Sequence, residues 1–369
     1  MAEGPTPPSN EITKTNKKND TVVRDDAKVS DFFNNFFGNA VKKLNIEPYK
    51  PSHESSMTTN DPIMGILEKY ESHPSVLKIK EMCSNHSNSF SFKPTNMKIV
   101  TEEIYNLNDS KASPIDSIPS KLLKENSNIF APKIVIDFNS SIRTGIFPKN
   151  QKLADVTPIF KQLDKHYKSN YRPVSILSAL SKVSEKLMFY QINDYMKDKL
   201  SLFLCGFRKG MSAQNCILFM IEKWRKYLDS NKKAGVLLTD LSKAFDCLVH
   251  DLLIAKLHAY GFDYVSLKLI YSYLSNRFQR VRINASFSSW KDILSGVPQG
   301  SILGPPLFNI YSNDLFLFLV LDIANYADDS SLFSFASTIP SVISQLGKDA
   351  EILLKWISNN GLKANPDKF

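Results

Sequence analysis

Val236-Leu237-Leu238-Thr239-Asp240, followed at once by Leu241-Ser242-Lys243-Ala244-Phe245-Asp246, is the stretch that decides the fold of this 369-residue chain. A short apolar and β-branched run predicts a buried strand that ends in a carboxylate. Alone, Asp240 reads as an ordinary strand-end aspartate, one able to cap a following helix. Downstream, Leu319-Val320-Leu321-Asp322-Ile323-Ala324-Asn325-Tyr326, then Ala327-Asp328-Asp329 and Leu332-Phe333, predicts a hairpin with two carboxylates at its tip. Such a tip is costly unless something cationic neutralises it. Two strand ends presenting carboxylates to one point are what a two-Mg²⁺ site needs: few hard oxygen ligands on rigid backbone. Asp240 and Asp328 are far enough apart in sequence to lie on neighbouring strands of one sheet.

Between them runs Ser295-Gly296-Val297-Pro298-Gln299-Gly300-Ser301-Ile302-Leu303-Gly304-Pro305. Glycines with Pro and Gln make a tight loop that lets backbone or a planar amide approach a ligand closely. Pro305 then suits the start of a helix through Leu307-Phe308-Asn309-Ile310. Upstream of this loop, 278–283 alternates as a strand, with Arg280 and Arg282 on one face and Val281 and Ile283 on the other.

The rest of the chain reads as short strands and amphipathic helices. Helices are predicted over 32–44 (Ser30 or Asp31 as N-cap), 62–71, 180–196, 248–260 with Gly261 at its end, 265–274, and 341–359 before Gly361. Val156-Thr157-Pro158-Ile159-Phe160 reads as a strand. The opening 28 residues are polar, charged and without apolar periodicity, which predicts disorder, and 52–61 reads as a linker.

Composition bounds the function. Hydrophobic residues are 43% and charged residues 22%, enough for a sizeable core, and the net charge of +9 suits a polyanionic partner. Cys83, Cys205, Cys216 and Cys247 show no paired spacing, which argues against a disulfide framework or zinc ribbon. Cys83 and His86 are close enough to share a metal but have no second pair. No secretory leader is expected at the opening, and the most apolar run, 315–321, is too short for a membrane span.

In order, Leu238-Thr239-Asp240-Leu241-Ser242-Lys243-Ala244-Phe245-Asp246, Gly296-Val297-Pro298-Gln299-Gly300-Ser301 and Tyr326-Ala327-Asp328-Asp329 resemble the motifs of reverse transcriptases. The closest likeness is to the polymerase of non-LTR (LINE-type, jockey-like) retrotransposons. Val156 to Lys161, Asn170-Tyr171-Arg172-Pro173-Val174-Ser175 and Gly206-Phe207-Arg208 are similar to the family's upstream motifs, with Leu204 where a Gln is usual. The resemblance covers 92–369. It implies an α/β (α+β) fold of right-hand polymerase fingers and palm, with an antiparallel palm sheet flanked by helices. The implied organisation is a disordered segment 1–28, a linker region with helices 29–91, an N-terminal extension 92–153, fingers 154–235 and palm 236–369.

Carried over position by position, the resemblance makes Asp240, Asp328 and Asp329 the catalytic carboxylates that hold two Mg²⁺, with Mn²⁺ as a substitute. Lys368 stands where the family places a lysine to protonate the leaving pyrophosphate. Lys161 and Arg172 match cations on the dNTP triphosphate. Phe245 matches the ring that excludes a 2′-hydroxyl, and Gln299 and Gly300 match the loop facing the template base. Arg277, Arg280 and Arg282 are candidate nucleic-acid contacts. The implied partners are an RNA template, a DNA primer and dNTPs, with no membrane, in an intracellular ribonucleoprotein of nucleus and cytoplasm. The helical thumb is not reached before Phe369, and no endonuclease precedes residue 100, so a piece of a retrotransposon polyprotein is expected. The alternative is a catalytically silent remnant that only binds nucleic acid.

Overall fold

The computed structural model describes residues 12–14, 21–50, 60–84, 88–109 and 118–366. His86, most of the opening segment, most of the 52–61 linker and Lys368 lie outside them. In chain order the elements are β1 (Ile12–Lys14), β2 (Thr21–Val23), α1 (Asp26–Gly38), α2 (Pro62–Lys69), α3 (Pro74–Cys83), α4 (Met97–Tyr105), α5 (Ser120–Glu125), α6 (Ser127–Thr144), β3 (Leu153–Phe160), β4 (Tyr171–Ile176), α7 (Ala179–Met196), α8 (Ala213–Asp229) and β5 (Lys233–Asp240). They continue with α9 (Ala244–Cys247), α10 (His250–Ala259), α11 (Tyr264–Leu274), β6 (Arg277–Ile283), β7 (Ser286–Phe287), β8 (Lys291–Ile293), α12 (Gly304–Ser312), β9 (Asp322–Tyr326), β10 (Asp329–Ala336) and α13 (Ile339–Asn359). The chain is mixed α/β, its sheets flanked by helices. No described helix is long and apolar enough to cross a membrane.

The described residues form two compact units. The first takes those of Met1–Lys43, Phe92–Met188 and Lys268–Gly304. Its sheet runs β4-β3-β6-β7, with β8 also paired to β6. β3 pairs antiparallel with β4 and parallel with β6. α1 covers one face, burying Val29 and Phe33 against Val156, Tyr171, Val281 and Ile283. The alternation predicted for β6 is present: Val281 and Ile283 turn inward while Arg282 turns out.

α1 corrects the predicted N-cap. The helix starts at Asp26 because the Asp25 carboxylate accepts from Lys28 N at 2.9 Å. Ser30, one predicted cap, is inside the helix, its hydroxyl donating to the Ala27 carbonyl at 2.7 Å. Asp31, the other, accepts from Ser289 instead. The helix ends at Gly38, so Val41 and Leu44 fall outside it.

The second unit takes the described residues of Leu44–Ser91, Phe189–Leu267 and Pro305–Phe369. Its sheet is antiparallel, in the order β5-β10-β9. Side chains alternate across β10: Phe333 and Phe335 meet Trp224 and Tyr227 of α8, whereas Ser334 bonds Gln345 of α13 at 2.5 Å. The two helices therefore cover opposite faces. Gly235 of β5 lies on the α13 side, where a Cβ would force the Val342 and Leu346 side chains to shift.

Three further expectations are corrected here. β5 is an edge strand and not a fully buried one: Leu238 is 60% exposed, and only Thr239 and Asp240 are buried. The helix predicted over 248–260 starts two residues later, at His250, because Val249 is extended and Leu248 caps the short α9 before it. The hairpin begins at Asp322, so Leu319-Val320-Leu321 does not join the sheet.

Candidate active site

In the second unit, strand register does most of the assembly. Asp329, first residue of β10, pairs directly with Asp240, last residue of β5, and on its other side with Tyr326. Residues paired this way have Cβ atoms about 5 Å apart. Asp328 adjoins Asp329 in the turn, so three carboxylates stand at one end of one sheet. Asp240 is 8% exposed, Asp328 half-buried and Asp329 exposed. Like charges directly opposite on a sheet destabilise it, so the sequence maintains an electrostatic cost that a bound cation would offset.

The turn itself is tightly held. Ala327 sits in the left-handed region at φ 60°, a conformation that costs a non-glycine residue energy. Asn325 compensates: its side-chain amide donates to the carbonyls of Ala327 and Asp329 and to the Ser330 hydroxyl at 2.8–3.2 Å. Behind the turn, Gly206 lies so close to the Ala327 backbone that no Cβ could fit. Cys205 N donates to Asn325 O at 3.0 Å, and Asn325 N to Phe203 O at 3.1 Å. Arg208 faces away from this chemistry, donating to the carbonyls of Ser201 and Leu204.

Asp240 has a partner that sequence reasoning missed. After α13 the chain returns along the end of β5, with Ser242 N donating to Lys363 O at 2.8 Å and Asn365 N to Asp240 O at 2.9 Å. The Asn365 side-chain amide donates to Asp240 Oδ2 at 2.8 Å. One carboxylate oxygen is thereby engaged and the carboxylate oriented. The only signal of Asn365 in the sequence is its place three residues before Lys368.

Phe245 is half-buried beside this sheet end. Its ring stacks on Phe308 (centroids 4.8 Å apart) and meets the Phe207 ring edge-on at 5.6 Å. Held on two sides, it has a defined orientation, as a steric gate requires.

The first unit carries the other predicted residues. Lys161 follows β3 and Arg172 lies in β4, paired with Ile159, and both are exposed. Gln299 is tied to the same strand, its carbonyl accepting from Ser175 N at 2.7 Å. Gly300 has φ 117°, and a Cβ there would stand 2.6 Å from Ser175 O, so both conformation and space demand glycine. Arg172, Gln299 and Gly300 therefore belong to one backbone framework.

The three arginines of β6 separate. Arg277 is 1% exposed, donates to Tyr273 O at 2.9 Å and lies over the Tyr273 ring; it is off the outer face and out of reach of a nucleic acid. Arg280 pairs with Asp155 at 2.7 Å between the rings of Phe287 and Trp290. Arg282 is exposed.

Whether the carboxylates fit a metal depends on the donor set. All three are hard oxygen donors, Asp240 and Asp329 on strand ends and Asp328 in the tightly held turn, which suits Mg²⁺ or Mn²⁺. Among the described residues no three Asp, Glu, His or Cys side chains are placed to hold a metal ion together, so water and substrate oxygens would supply most of the coordination. Such a pattern is usual for Mg²⁺.

Comparison with known proteins identifies the family. A family model described as reverse transcriptase (RNA-dependent DNA polymerase) matches residues 160–369. The probable RNA-directed DNA polymerase from transposon BS of Drosophila melanogaster is 30% identical over 291 residues, covering 76% of this chain and 32% of that protein. The RNA-directed DNA polymerase from mobile element jockey of the same species is 27% identical over 288 residues (73% and 31%). A third relative, the probable polymerase from transposon X-element, is 31% identical over 219 residues (58% and 24%). The chain spans about a third of the length of the first two.

Proposed function

Because the chain belongs to the reverse transcriptase (RNA-dependent DNA polymerase) family, of the LINE type, we propose that it is an RNA-directed DNA polymerase module of a non-LTR retrotransposon. It would extend a DNA primer on an RNA template with dNTPs. The observation that carries this reading is the direct pairing of Asp329 with Asp240, with Asp328 adjacent. Asp240, Asp328 and Asp329 are the residues that would hold two Mg²⁺, or Mn²⁺ in their place. When bound, such a pair stabilises charge on the attacking and leaving oxygens of nucleotidyl transfer.

The remaining roles are for side chains to position and neutralise. Asn365 orients the Asp240 carboxylate. Phe245 lies under the sugar of the incoming nucleotide and excludes a 2′-hydroxyl. Lys161, a point charge, and Arg172, a planar fork, receive the triphosphate. Gln299 and Gly300 face the template base. Lys368 would deliver a proton to the departing pyrophosphate. Arg280 and Arg282 would contact phosphates of the nucleic acid, in keeping with the net charge of +9. The setting we propose is intracellular, as a ribonucleoprotein.

A second reading, a silent remnant that only binds nucleic acid, draws on the absence, among the described residues, of three side chains placed to hold a metal ion together. Primer extension on poly(rA)/oligo(dT) with dTTP, with and without Mg²⁺, separates the two. Mg²⁺-dependent extension is expected. Heteroduplex binding without any extension would leave only the second reading.

A further inference from the structure

Beneath the template-facing loop of the first unit lies a buried carboxylate with no part in the roles above. Glu185, on α7, is 0% exposed. Its Oε2 accepts from two successive loop amides, Ile302 N at 2.6 Å and Leu303 N at 3.4 Å, and its Oε1 accepts from the Ser181 hydroxyl at 3.1 Å. Every one of these contacts is to a donor, the pattern of an ionised carboxylate. Burial pushes its titration upward, while the Arg277 charge and the two amides oppose that. Arg277 is itself buried, so it supplies a counter-charge that water cannot reach.

The loop between 298 and 304 is thus held from two sides. On one, Ser175 N of β4 donates to the Gln299 carbonyl at 2.7 Å. On the other, Glu185 grips Ile302 and Leu303. Within the loop, the Ser301 hydroxyl donates to Pro298 O at 2.8 Å and accepts from Gly304 N at 3.0 Å. Gln299 is itself one anchor, and Gly300 lies between it and the other. A neutral side chain could satisfy the same amides at lower desolvation cost; a carboxylate accepting from both at once binds them more strongly.

We propose that Glu185 is a positioning residue for Gln299 and Gly300: it touches no substrate, and it fixes the loop that faces the template base against the strand that carries Arg172. The inference rests on the polymerase reading for its functional consequence, and on the hydrogen bonds alone for its structural one. If the loop occupies its competent position for only a fraction of the time, apparent dNTP affinity falls by that fraction.

The test has two arms, run on the full chain. In hydrogen–deuterium exchange, Glu185→Gln should speed exchange of the Ile302 and Leu303 amides by roughly tenfold or more, the size expected for losing a charged acceptor, with β3 and β4 unchanged. Glu185→Asp, one methylene shorter, should do the same and serves if the first variant fails to fold. Unchanged loop exchange, or equal acceleration in β3 and β4, overturns the proposal. In primer extension, Glu185→Gln should raise the dNTP KM several-fold with kcat within about twofold. Equal loss in kcat would mark a merely structural role and overturn it. A wild-type chain that extends no primer contradicts the polymerase reading alone, and exchange still decides whether Glu185 fixes the loop.

Discussion

Phe245 shows what a single residue can be asked to do. Its ring is clamped between Phe308 and Phe207, so in the proposed role shape and not flexibility would set which sugar it tolerates. Phe245→Ala should raise the ratio of ribonucleotide to deoxynucleotide kcat/KM by on the order of tenfold to a hundredfold. Phe308→Ala, which removes only the stacking support, should move it less in the same direction. Unchanged rejection of ribonucleotides by Phe245→Ala would disprove the gate. Asp240, Asp328, Asp329 and Phe245 stand out in the sequence because each sits in a short motif that resembles one of the family's. Asn365 does not: its bond to Asp240 exists only because the chain returns to β5 from 125 residues away. Arg277 is the converse case: its place beside Arg280 and Arg282 suggests a contact, whereas alternation puts it with Val281 and Ile283 on the face that is buried.

Elements are joined in the second unit by buried polar groups that no periodicity reveals. His73 caps α3, its Nδ1 accepting from Ser75 N at 3.2 Å, so Nε2 carries the proton shared with Asn359 O at 3.1 Å. Burial lowers its pKa from 6.5 to about 4. A folded-state pKa below the unfolded one means that the unfolded chain binds the extra proton. Stability should therefore be complete above about pH 6.5 and fall as pH drops toward 4, by roughly 2 kcal/mol at pH 5. Denaturant midpoints at pH 7 and 5 check this, and the same slope in His73→Asn would contradict it. Lys256 of α10 is fully buried, paired to Asp314 at 2.5 Å, whose other oxygen accepts from Trp356 Nε1 of α13 at 2.7 Å. Lys256→Ala strands that carboxylate and should cost about 3–5 kcal/mol. Lys256→Met with Asp314→Leu should be markedly less damaging, and a double variant as unstable as the single one would refute the pairing argument. From sequence, α10 read only as an amphipathic helix, because a buried lysine looks like a solvated one until its partner is in place.

At the scale of the whole molecule, each compact unit is assembled from three separate stretches of chain. Local pattern found most strands and helices, since each is set by its own periodicity and caps. It could not bring 268–304 to 92–188, because parallel pairing of β3 with β6 depends on contacts more than a hundred residues apart. The surplus of positive charge is a property of the full chain, and heteroduplex affinity should fall steeply with KCl. Arg282→Ala should reduce the slope of log affinity against log salt by about one, with little effect on stability; an unchanged slope would remove that residue from the interface. The central claim is that the paired ends of β5 and β10 form a polymerase centre, and one comparison tests it most directly. Primer extension and heteroduplex affinity are measured side by side for wild type, Asp240→Asn and Asp328→Asn. The account predicts extension by wild type, loss of at least about a thousandfold in both variants, and affinities within about twofold of one another. Extension by either variant at the wild-type rate, or loss of affinity in step with activity, would contradict it.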